Sequence, residues 1–201
     1  RPTLARLGEL CCGDGQGLAV DSRVTAFLGI PYAAPPLGAR RFAPPAPAEP
    51  WEGIRPAHQH GPAPIQGAPA PGRYLADLSS PRQSEDCLYL NVWTPAKSSR
   101  EKLPVLVYMF GGGFQNGDGS EPRYDGERMA REGIVAVSLN YRTNVFGFFV
   151  HPELTGESPH HAQQIVTMSV ISDDGCRHQQ PHTERRQVVH GVGVPALDTR
   201  V

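Results

Sequence analysis

The stretch PVLVYMFGGGFQNGDGS, residues 104–120, decides the fold class of this chain. Its first part, residues 104–110, is a short run of apolar, β-branched and aromatic residues ended by glycines, which predicts a strand buried on both faces, as in a parallel sheet. Residues 125–132 then predict a short helix, and residues 134–141 predict a second buried strand. Strand, glycine loop, helix and strand form a βαβ unit, so the sequence predicts an α/β fold.

Further strands are predicted on the N-terminal side of this unit. Residues 17–33 hold two short apolar runs around the polar turn at residues 21–23, a pattern typical of a β-hairpin. Residues 87–93 predict one more strand. Residues 34–84 are rich in Pro, Gly and Ala without a sustained period, and we expect a long ordered loop because it carries large apolar side chains that favour burial. These side chains are Phe42, Trp51, Ile54 and Tyr74.

The sequence changes character after Ala162. Every Phe, Trp and Tyr lies at or before Phe149, and residues 163–201 contain none of them. Within this tail, only residues 165–171 resemble a strand. A segment with so few large apolar side chains buries little surface, so we expect a disordered C-terminal tail. We therefore place a boundary between residues 1–162 and residues 163–201.

The composition argues against several classes of function. The 201 residues carry a net charge of -1, so there is no broad basic surface for nucleic acid. No apolar run approaches the roughly 18 residues of a membrane-spanning helix, and the first residues are too interrupted to predict a signal peptide. The chain begins with Arg1 rather than Met, so the true N-terminus and the compartment stay open. The four cysteines form no C-x-x-C pair and predict thiols rather than a zinc site.

The glycines at residues 111–113 are the part of the sequence that most directly indicates a functional site. They follow directly on a predicted strand and lack Cβ atoms, so the backbone can turn successive N–H groups towards one point. This geometry can hold an oxyanion, although a plain connecting turn would have the same composition. A phosphate-binding P-loop is the rival ligand site, but no G-K-[ST] follows the glycines.

Four stretches follow one another along the chain: FLGIPYAAPPLGARRFAPP (27–45), SEDCLYLNVWTP (84–95), GGGFQNGDGS (111–120) and LNYRTNVFGFF (139–149). In this order and at about this spacing, they resemble signatures of the type-B carboxylesterase and cholinesterase family. The resemblance covers residues 15–162. It implies an incomplete α/β-hydrolase fold, with the N-terminal hairpin and the first strands of the central sheet. For complete members it implies hydrolysis of a small carboxylic ester through an acyl-serine. We expect no cofactor.

The resemblance also implies roles for particular residues. The backbone N–H groups of Gly112 and Gly113 would be oxyanion-hole donors, in a loop similar to the HGGG type of esterases. One such donor contributes about 2.7–4 kcal/mol to the stability of a transition state. Arg41 and Glu85 match an ion pair that fastens the long loop to a strand, whereas composition alone would make them solvated surface charges.

The sequence departs from the family in four places. Phe110 stands where His or Tyr commonly precedes the glycines. Cys87 matches a disulfide cysteine, but Pro64 stands at its partner's position, so we expect a free thiol at Cys87. No Trp lies in residues 67–83, which argues against a choline ester as the substrate. After Ala162 the sequence contains no Gly-Leu-Leu-Asp-Gln-like helix and no G-E-S-A-G elbow.

Ser158, in the tripeptide GES, begins like the nucleophile elbow G-x-S-x-G. It fails as a nucleophile because residues 152–155 do not predict a strand. In addition, Pro159 has no N–H to donate to an oxyanion, and His160 stands in place of the second glycine. We therefore expect a surface loop at Ser158.

The rest of a catalytic triad is not predicted in this chain. None of the eight histidines stands in a family position for the general base, and the family's acidic residue is missing too. Cys176, His178 and His182 form a loose metal-like group. Because Pro181 breaks any helix that would align them, we predict no metal site.

Two functions follow from these observations. The first is the N-terminal segment of a serine carboxylesterase that is itself inactive, and the alternative is a non-catalytic binding or adhesion module related to cholinesterases. The strand that would feed the elbow is missing, so the strand at residues 104–110 would have an open, apolar, uncharged edge. We therefore expect poor solubility and self-association through residues 104–110.

Overall fold

The computed structural model describes residues 4–5, 9–10, 12–67, 82–98 and 100–157 of the chain. The sequence predictions for Tyr74, for Ser158 and for the tail at residues 163–201, which includes the Cys176 group, fall outside these residues.

Eight strands and three short α-helices make up this part of the chain. The strands are β1 (Leu4–Ala5), β2 (Glu9–Leu10), β3 (Gly13–Ala19), β4 (Thr25–Pro31), β5 (Ile54–Pro56), β6 (Tyr89–Thr94), β7 (Val105–Met109) and β8 (Val135–Leu139). The helices are α1 (Glu127–Arg131), α2 (Asn144–Phe148) and α3 (Pro152–Glu157). Short 3-10 turns lie at Gly38–Arg40 and Pro122–Tyr124.

The strands form one mixed sheet in the order β1-β3-β4-β6-β8-β7, and β2 and β5 also pair with β3. β3 and β4 are antiparallel, as the predicted hairpin requires. β4 with β6, and β6 with β8, are antiparallel as well. β7 and β8 are parallel and are joined through α1, so the predicted βαβ unit is confirmed.

Asp21 fixes the turn between β3 and β4. One of its carboxylate oxygens accepts the N–H of Arg23 at 2.7 Å and the N–H of Val24 at 2.8 Å. These hydrogen bonds to the ionised carboxylate lower the pKa of Asp21. Its other oxygen lies 2.7 Å from the guanidinium of Arg131. The hairpin turn therefore also contacts α1, the helix between β7 and β8.

The core of the sheet is built around β8, whose residues are all buried. Because side chains alternate along a strand, the two faces of β8 contribute to two clusters. The main cluster consists of Phe27, Ile30, Ala57, Leu90, Val92, Val135, Val137 and Leu139. The second consists of Val24, Ala26, Trp93, Ala130 and Ala136. The prediction of a buried strand at residues 134–141 is confirmed.

The prediction that β7 is buried on both faces is wrong. Val105, Leu106, Tyr108 and Met109 are 41%, 44%, 42% and 50% exposed, and only Val107 is half-buried. β7 is the last strand of the described sheet, and α1 packs mainly against β6 and β8. An apolar run predicts a strand well, but it does not determine what lies on the faces of that strand.

The predicted loop at residues 34–84 is described up to residue 67 and from residue 82. Phe42 and Trp51 are half-buried. Ile54 is 67% exposed, so the expectation that it is buried is wrong. The reason is local, since Ile54 begins β5, a short strand that pairs with β3 at the margin of the sheet.

Truncation of a core leucine should destabilise the chain far more than truncation of an exposed one. Leu90 is 3% exposed and packs in the main cluster, whereas Leu37 is 49% exposed. We expect Leu90→Ala to lower the free energy of unfolding by about 2–5 kcal/mol. Leu37→Ala should change it by about 0.5 kcal/mol or less. Urea unfolding measures both, and equal losses would contradict the position of the core.

Candidate functional site

The glycine loop turns away from the sheet immediately after β7. Gly112 has a φ of +136° and Gly113 a φ of +62°, both in the left-handed region that favours glycine. A Cβ atom on Gly112 would lie 1.8 Å from the carbonyl oxygen of Asn116. A Cβ atom on Gly113 would meet nothing within 4 Å. The close approach of the backbones therefore requires glycine at Gly112, whereas at Gly113 glycine only avoids the strain of a left-handed backbone.

Gly112 and Gly113 present two successive backbone N–H groups. Within the described part of the chain, neither group donates to an acceptor. Gly112 is half-buried and Gly113 is exposed. The carbonyl of Gly112, in contrast, accepts the N–H of Gln115 at 3.2 Å. These two N–H groups can therefore hydrogen-bond a ligand without giving up a bond within the protein.

Asn144 holds the next part of the loop. Its backbone N–H donates to the carbonyl of Phe114 at 2.9 Å. Its side-chain amide donates to the carbonyl of Gln115 at 2.7 Å and to that of Ile65 at 3.2 Å. Phe114 (φ +61°) and Asn144 (φ +53°) both adopt left-handed backbone, which costs Phe roughly 1–2 kcal/mol and which Asn tolerates more readily. The ring of Phe114 packs 4.6 Å from that of Phe148.

Gln66 binds the loop at Gly117. Its amide oxygen accepts the N–H of Gly117 at 2.7 Å, and its amide nitrogen donates back to the carbonyl of Gly117 at 3.1 Å. The same nitrogen donates to the carbonyl of Pro64 at 3.1 Å. The backbone N–H of Gln66 donates to the side chain of Gln83 at 3.0 Å. Because Gln66 is buried, these bonds are shielded from competing water.

The end of the loop is bonded at Gly119 to side chains of β6, of β8 and of Asn140, which directly follows β8. The N–H of Gly119 donates to the side-chain oxygen of Asn140 at 2.7 Å. Its carbonyl accepts from the hydroxyl of Ser138 at 2.7 Å and from the amide of Asn91 at 3.4 Å. Asn91 also donates to Ser138 at 3.0 Å and accepts the N–H of Gly29 at 3.0 Å. This buried network fixes the loop to β6 and β8.

Phe110, which departs from the family pattern, supports the start of the loop. Its ring stacks on Tyr141 with a centroid separation of 4.1 Å and an interplanar angle of 9°. The hydroxyl of Tyr141 donates to the carbonyl of Phe110 at 2.7 Å. An apolar ring in place of a polar one is therefore held by stacking and by a backbone bond.

Arg41 and Glu85 form the ion pair that the resemblance implies. The guanidinium of Arg41 donates to both carboxylate oxygens of Glu85, at 2.5 and 2.8 Å. The hydrogen bonds from Arg41 lower the pKa of Glu85. The buried guanidinium of Arg142 donates to the carbonyls of Arg41 and Ala43, each at 3.1 Å. The segment after β4 is thereby joined to the start of β6 and to the chain following β8.

Cys87 is a free thiol in the described structure, as predicted. It is fully buried, and Pro64 at the expected partner position is fully buried as well. Burial raises the pKa of Cys87 to about 12, because a thiolate loses its hydration there. The thiol is therefore protonated at neutral pH and is a poor nucleophile.

Sequence reasoning missed the residues that hold the loop. Asn91, Ser138 and Asn140 are polar residues within apolar strand sequences, and all three are buried. Buried polar side chains need partners, so their presence in otherwise apolar strands was the available signal. Gln66 had no comparable signal, because it lies in an irregular segment.

From the sequence, a nucleophile at Ser158 and a metal-like group at Cys176, His178 and His182 also had to be considered. Ser158 and the Cys176 group lie outside the described residues. Among the residues that the structure describes, no group of three or more His, Cys, Asp or Glu side chains could hold a metal ion. In the same residues, no helix is long and apolar enough to cross a membrane.

The sheet order, the parallel β7–β8 pair and the glycine loop define part of an α/β-hydrolase. Residues 6–159 match the model of the Carboxylesterase family, and the chain belongs to this family. The family and the α/β-hydrolase fold class predicted from the sequence are thus confirmed.

Characterised relatives support the same assignment. The chain is 44% identical over 140 residues to fumonisin B1 esterase from Sphingopyxis macrogoltabida, covering 70% of this chain and 25% of that protein. It is 44% identical over 152 residues to acetylcholinesterase from Electrophorus electricus, covering 72% of this chain and 24% of that protein. The chain therefore spans about a quarter of the length of these relatives.

Solved structures show the same partial match. A PNB esterase superimposes with a TM-score of 0.67 at 37% identity, covering 80% of this chain and 32% of that one. The carboxylesterase EST55 of Geobacillus stearothermophilus superimposes with a TM-score of 0.61 at 41% identity, covering 72% of this chain and 28% of that one.

Alanine substitution of the two loop glycines should separate the cost of a close backbone approach from the cost of left-handed backbone conformation. Gly113→Ala meets no neighbour and should cost only the roughly 1–2 kcal/mol of left-handed backbone. Gly112→Ala must also displace the backbone at Asn116, so we expect it to lower the free energy of unfolding by more than Gly113→Ala does. Urea unfolding of both variants measures the difference. A greater loss for Gly113→Ala would contradict the loop geometry.

Proposed function

We propose that residues 1–162 form the oxyanion-loop part of a serine carboxylesterase domain and that residues 163–201 are an unrelated tail. The match to the family model ends at residue 159, which supports this division. The proposed substrate of the complete domain is a small-molecule carboxylic ester. Membership of the Carboxylesterase family and the esterases among the relatives support this substrate class.

The backbone N–H groups of Gly112 and Gly113 are the proposed oxyanion donors. When a nucleophilic serine attacks an ester carbonyl, the carbonyl oxygen becomes negatively charged, and two fixed N–H groups stabilise that charge. The observation that carries the proposal is that these N–H groups have no acceptor in the described chain, while Asn144, Gln66 and Asn140 bind the loop around them.

We further propose that this chain does not hydrolyse esters by itself. Its 201 residues contain no G-x-S-x-G sequence, and Ser158 is followed by Pro159, which cannot donate an N–H. Without a nucleophilic serine, no oxyanion forms for the donors to stabilise. The alternative, a non-catalytic binding module, gains no support from a particular contact of the described residues.

We also propose that the chain has no nucleic-acid partner and that it self-associates through residues 104–110. The net charge of -1 supports the first statement. The exposed apolar side chains of β7, at the end of the described sheet, support the second.

Esterase assays should give background rates. We expect the purified chain and its Ser158→Ala variant to hydrolyse p-nitrophenyl butyrate equally slowly, because neither carries an activated serine. A fluorophosphonate probe should label neither protein. Stoichiometric labelling of Ser158 in the natural chain, lost in Ser158→Ala, would contradict the proposal of inactivity.

The oxyanion donors can be tested without catalysis. We expect titration with sodium butyrate to shift the backbone amide resonances of Gly112 and Gly113, because their N–H groups are open to an anion. Gly38 and Gly53 are matched controls, since both have positive φ and neither has a neighbour within 4 Å of a Cβ position. Heteronuclear NMR on glycine-labelled chain measures the shifts. Equal shifts at all four glycines would contradict a specific site.

A further inference from the structure

The segment at residues 60–66 bonds to the asparagine side chains that fix the glycine loop, and it also contains Gln66. The three bonds are Nδ1 of His60 to Oδ1 of Asn91 at 3.0 Å, Nδ2 of Asn140 to the carbonyl of Pro62 at 3.0 Å, and Nδ2 of Asn144 to the carbonyl of Ile65 at 3.2 Å. Only the bond at His60 comes from a side chain of the segment. It is therefore the one that a substitution in the segment can remove directly.

Backbone partners determine how the amide of Asn91 is oriented. Its oxygen accepts the N–H of Gly29 at 3.0 Å, and a backbone N–H can only donate. Its nitrogen donates to the carbonyl of Gly119 at 3.4 Å, and a backbone carbonyl can only accept. The same nitrogen donates to the hydroxyl of Ser138 at 3.0 Å. Both hydrogens of the amide are thus used, and the second acceptor site of its oxygen faces His60.

The orientation of Asn91 determines the tautomer of His60. Nδ1 of His60 faces an oxygen that can only accept, so Nδ1 carries the hydrogen, and Nε2 of the neutral ring carries none. The ring is half-buried, and its centroid lies 6.4 Å from that of Trp93. Asn91 and Trp93 are two residues apart in β6 and share a face of the sheet. The same strand therefore supplies the acceptor and a neighbouring ring.

We propose that His60 is a positioning residue of the glycine loop, because its Nδ1–H holds the amide of Asn91 in the orientation that binds Gly119. The proposal rests on the oxyanion function proposed above and names a further residue on which that function depends. With His60 in place, a flipped Asn91 amide would face two donors with its own N–H groups, whereas Gly29 alone would present one.

Asn91 passes the effect of His60 on to the end of the loop. It is 5% exposed, so water does not replace its bonds. It donates to the carbonyl of Gly119 and to Ser138, which itself donates to that carbonyl at 2.7 Å. A loosened Asn91 therefore weakens the attachment of Gly119 to β6 and to β8. The N–H groups of Gly112 and Gly113 then lose part of the fixed position on which oxyanion donors depend.

Two substitutions of His60 differ in the donor alone. Asn and Leu have nearly the same size and shape, and neither has a ring. Asn carries an N–H donor at the δ position, as Nδ1 of His does, and Leu carries none. We expect His60→Leu to lower the protection of the Gly119 N–H against hydrogen exchange by about two- to tenfold relative to His60→Asn, the range for one hydrogen bond.

Val135 and His58 supply the controls. The N–H of Val135, at the start of β8, donates to the carbonyl of Pro104 at 2.8 Å, and Val135 is buried. A general loss of stability would lower its protection as much as that of Gly119. His58 is also half-buried, and among the described residues its Nε2 has no hydrogen-bond partner. His58→Leu and His58→Asn should therefore protect Gly119 equally.

NMR on the full chain measures the outcome, and thermal unfolding verifies that each variant is folded. Long-range hydrogen–nitrogen correlation in the natural chain should find the proton of the neutral His60 ring on Nδ1, a result that needs no variant. A proton on Nε2 would overturn the hydrogen bond to Asn91. Equal protection of Gly119 in His60→Leu and His60→Asn, or an equal fall at Val135, would overturn the positioning role.

Titration with sodium butyrate separates this proposal from the oxyanion function. We expect His60→Asn to bind butyrate at Gly112 and Gly113 like the natural chain, and His60→Leu to bind it at least about twofold more weakly. Equal binding by the two variants would overturn the effect of His60 on the donors. If the natural chain itself shows no specific shift at these glycines, the oxyanion function fails, while the tautomer and the exchange at Gly119 still decide whether His60 holds the loop.

Discussion

The hydrogen bonds at Gly119 are the constraint on which the geometry of the glycine loop depends. They bond the N–H of Gly119 to Asn140 and its carbonyl to Ser138 and Asn91, in a place where water cannot substitute. A buried backbone group left unpaired costs about 1–3 kcal/mol. The end of the loop is therefore held against β6 and β8, and Gln66 and Asn144 fix the residues between this anchor and the glycines.

This short loop contains both backbone groups that are hydrogen-bonded within the protein and backbone N–H groups that are not. Backbone groups of Gln115, Gly117 and Gly119 are bonded to side chains from distant parts of the chain, whereas the N–H groups of Gly112 and Gly113 are not bonded in the described structure. Fixed donors gain their effect because they need not reorganise when charge appears. The side chains that hold this loop thus matter as much to the proposed oxyanion site as the glycines that compose it.

Sequence reasoning predicted the parts of this structure that depend on local patterns. Periodicity and turn residues were enough for the hairpin, for β7 and β8 and for α1, and three consecutive glycines were enough to locate the loop. Burial of β7 and Ile54 could not be predicted in this way, because apolar composition does not determine which neighbours cover a strand. The role of Gln66 could not be predicted either, because its partner Gly117 is distant in sequence and only folding brings the two together.

The outer edge of β7 and the glycine loop are open in the described chain for different reasons. The edge is open because no described strand lies beside it, whereas the loop donors are open because left-handed glycines turn them away from every described acceptor. The end of the loop is bonded at Gly119 to Asn91 of β6, to Ser138 of β8 and to Asn140, and Gly117 is bonded to Gln66. A strand at the end of the described sheet can position the glycine loop because Asn91 of β6 and Ser138 of β8, both buried, fix the end of that loop.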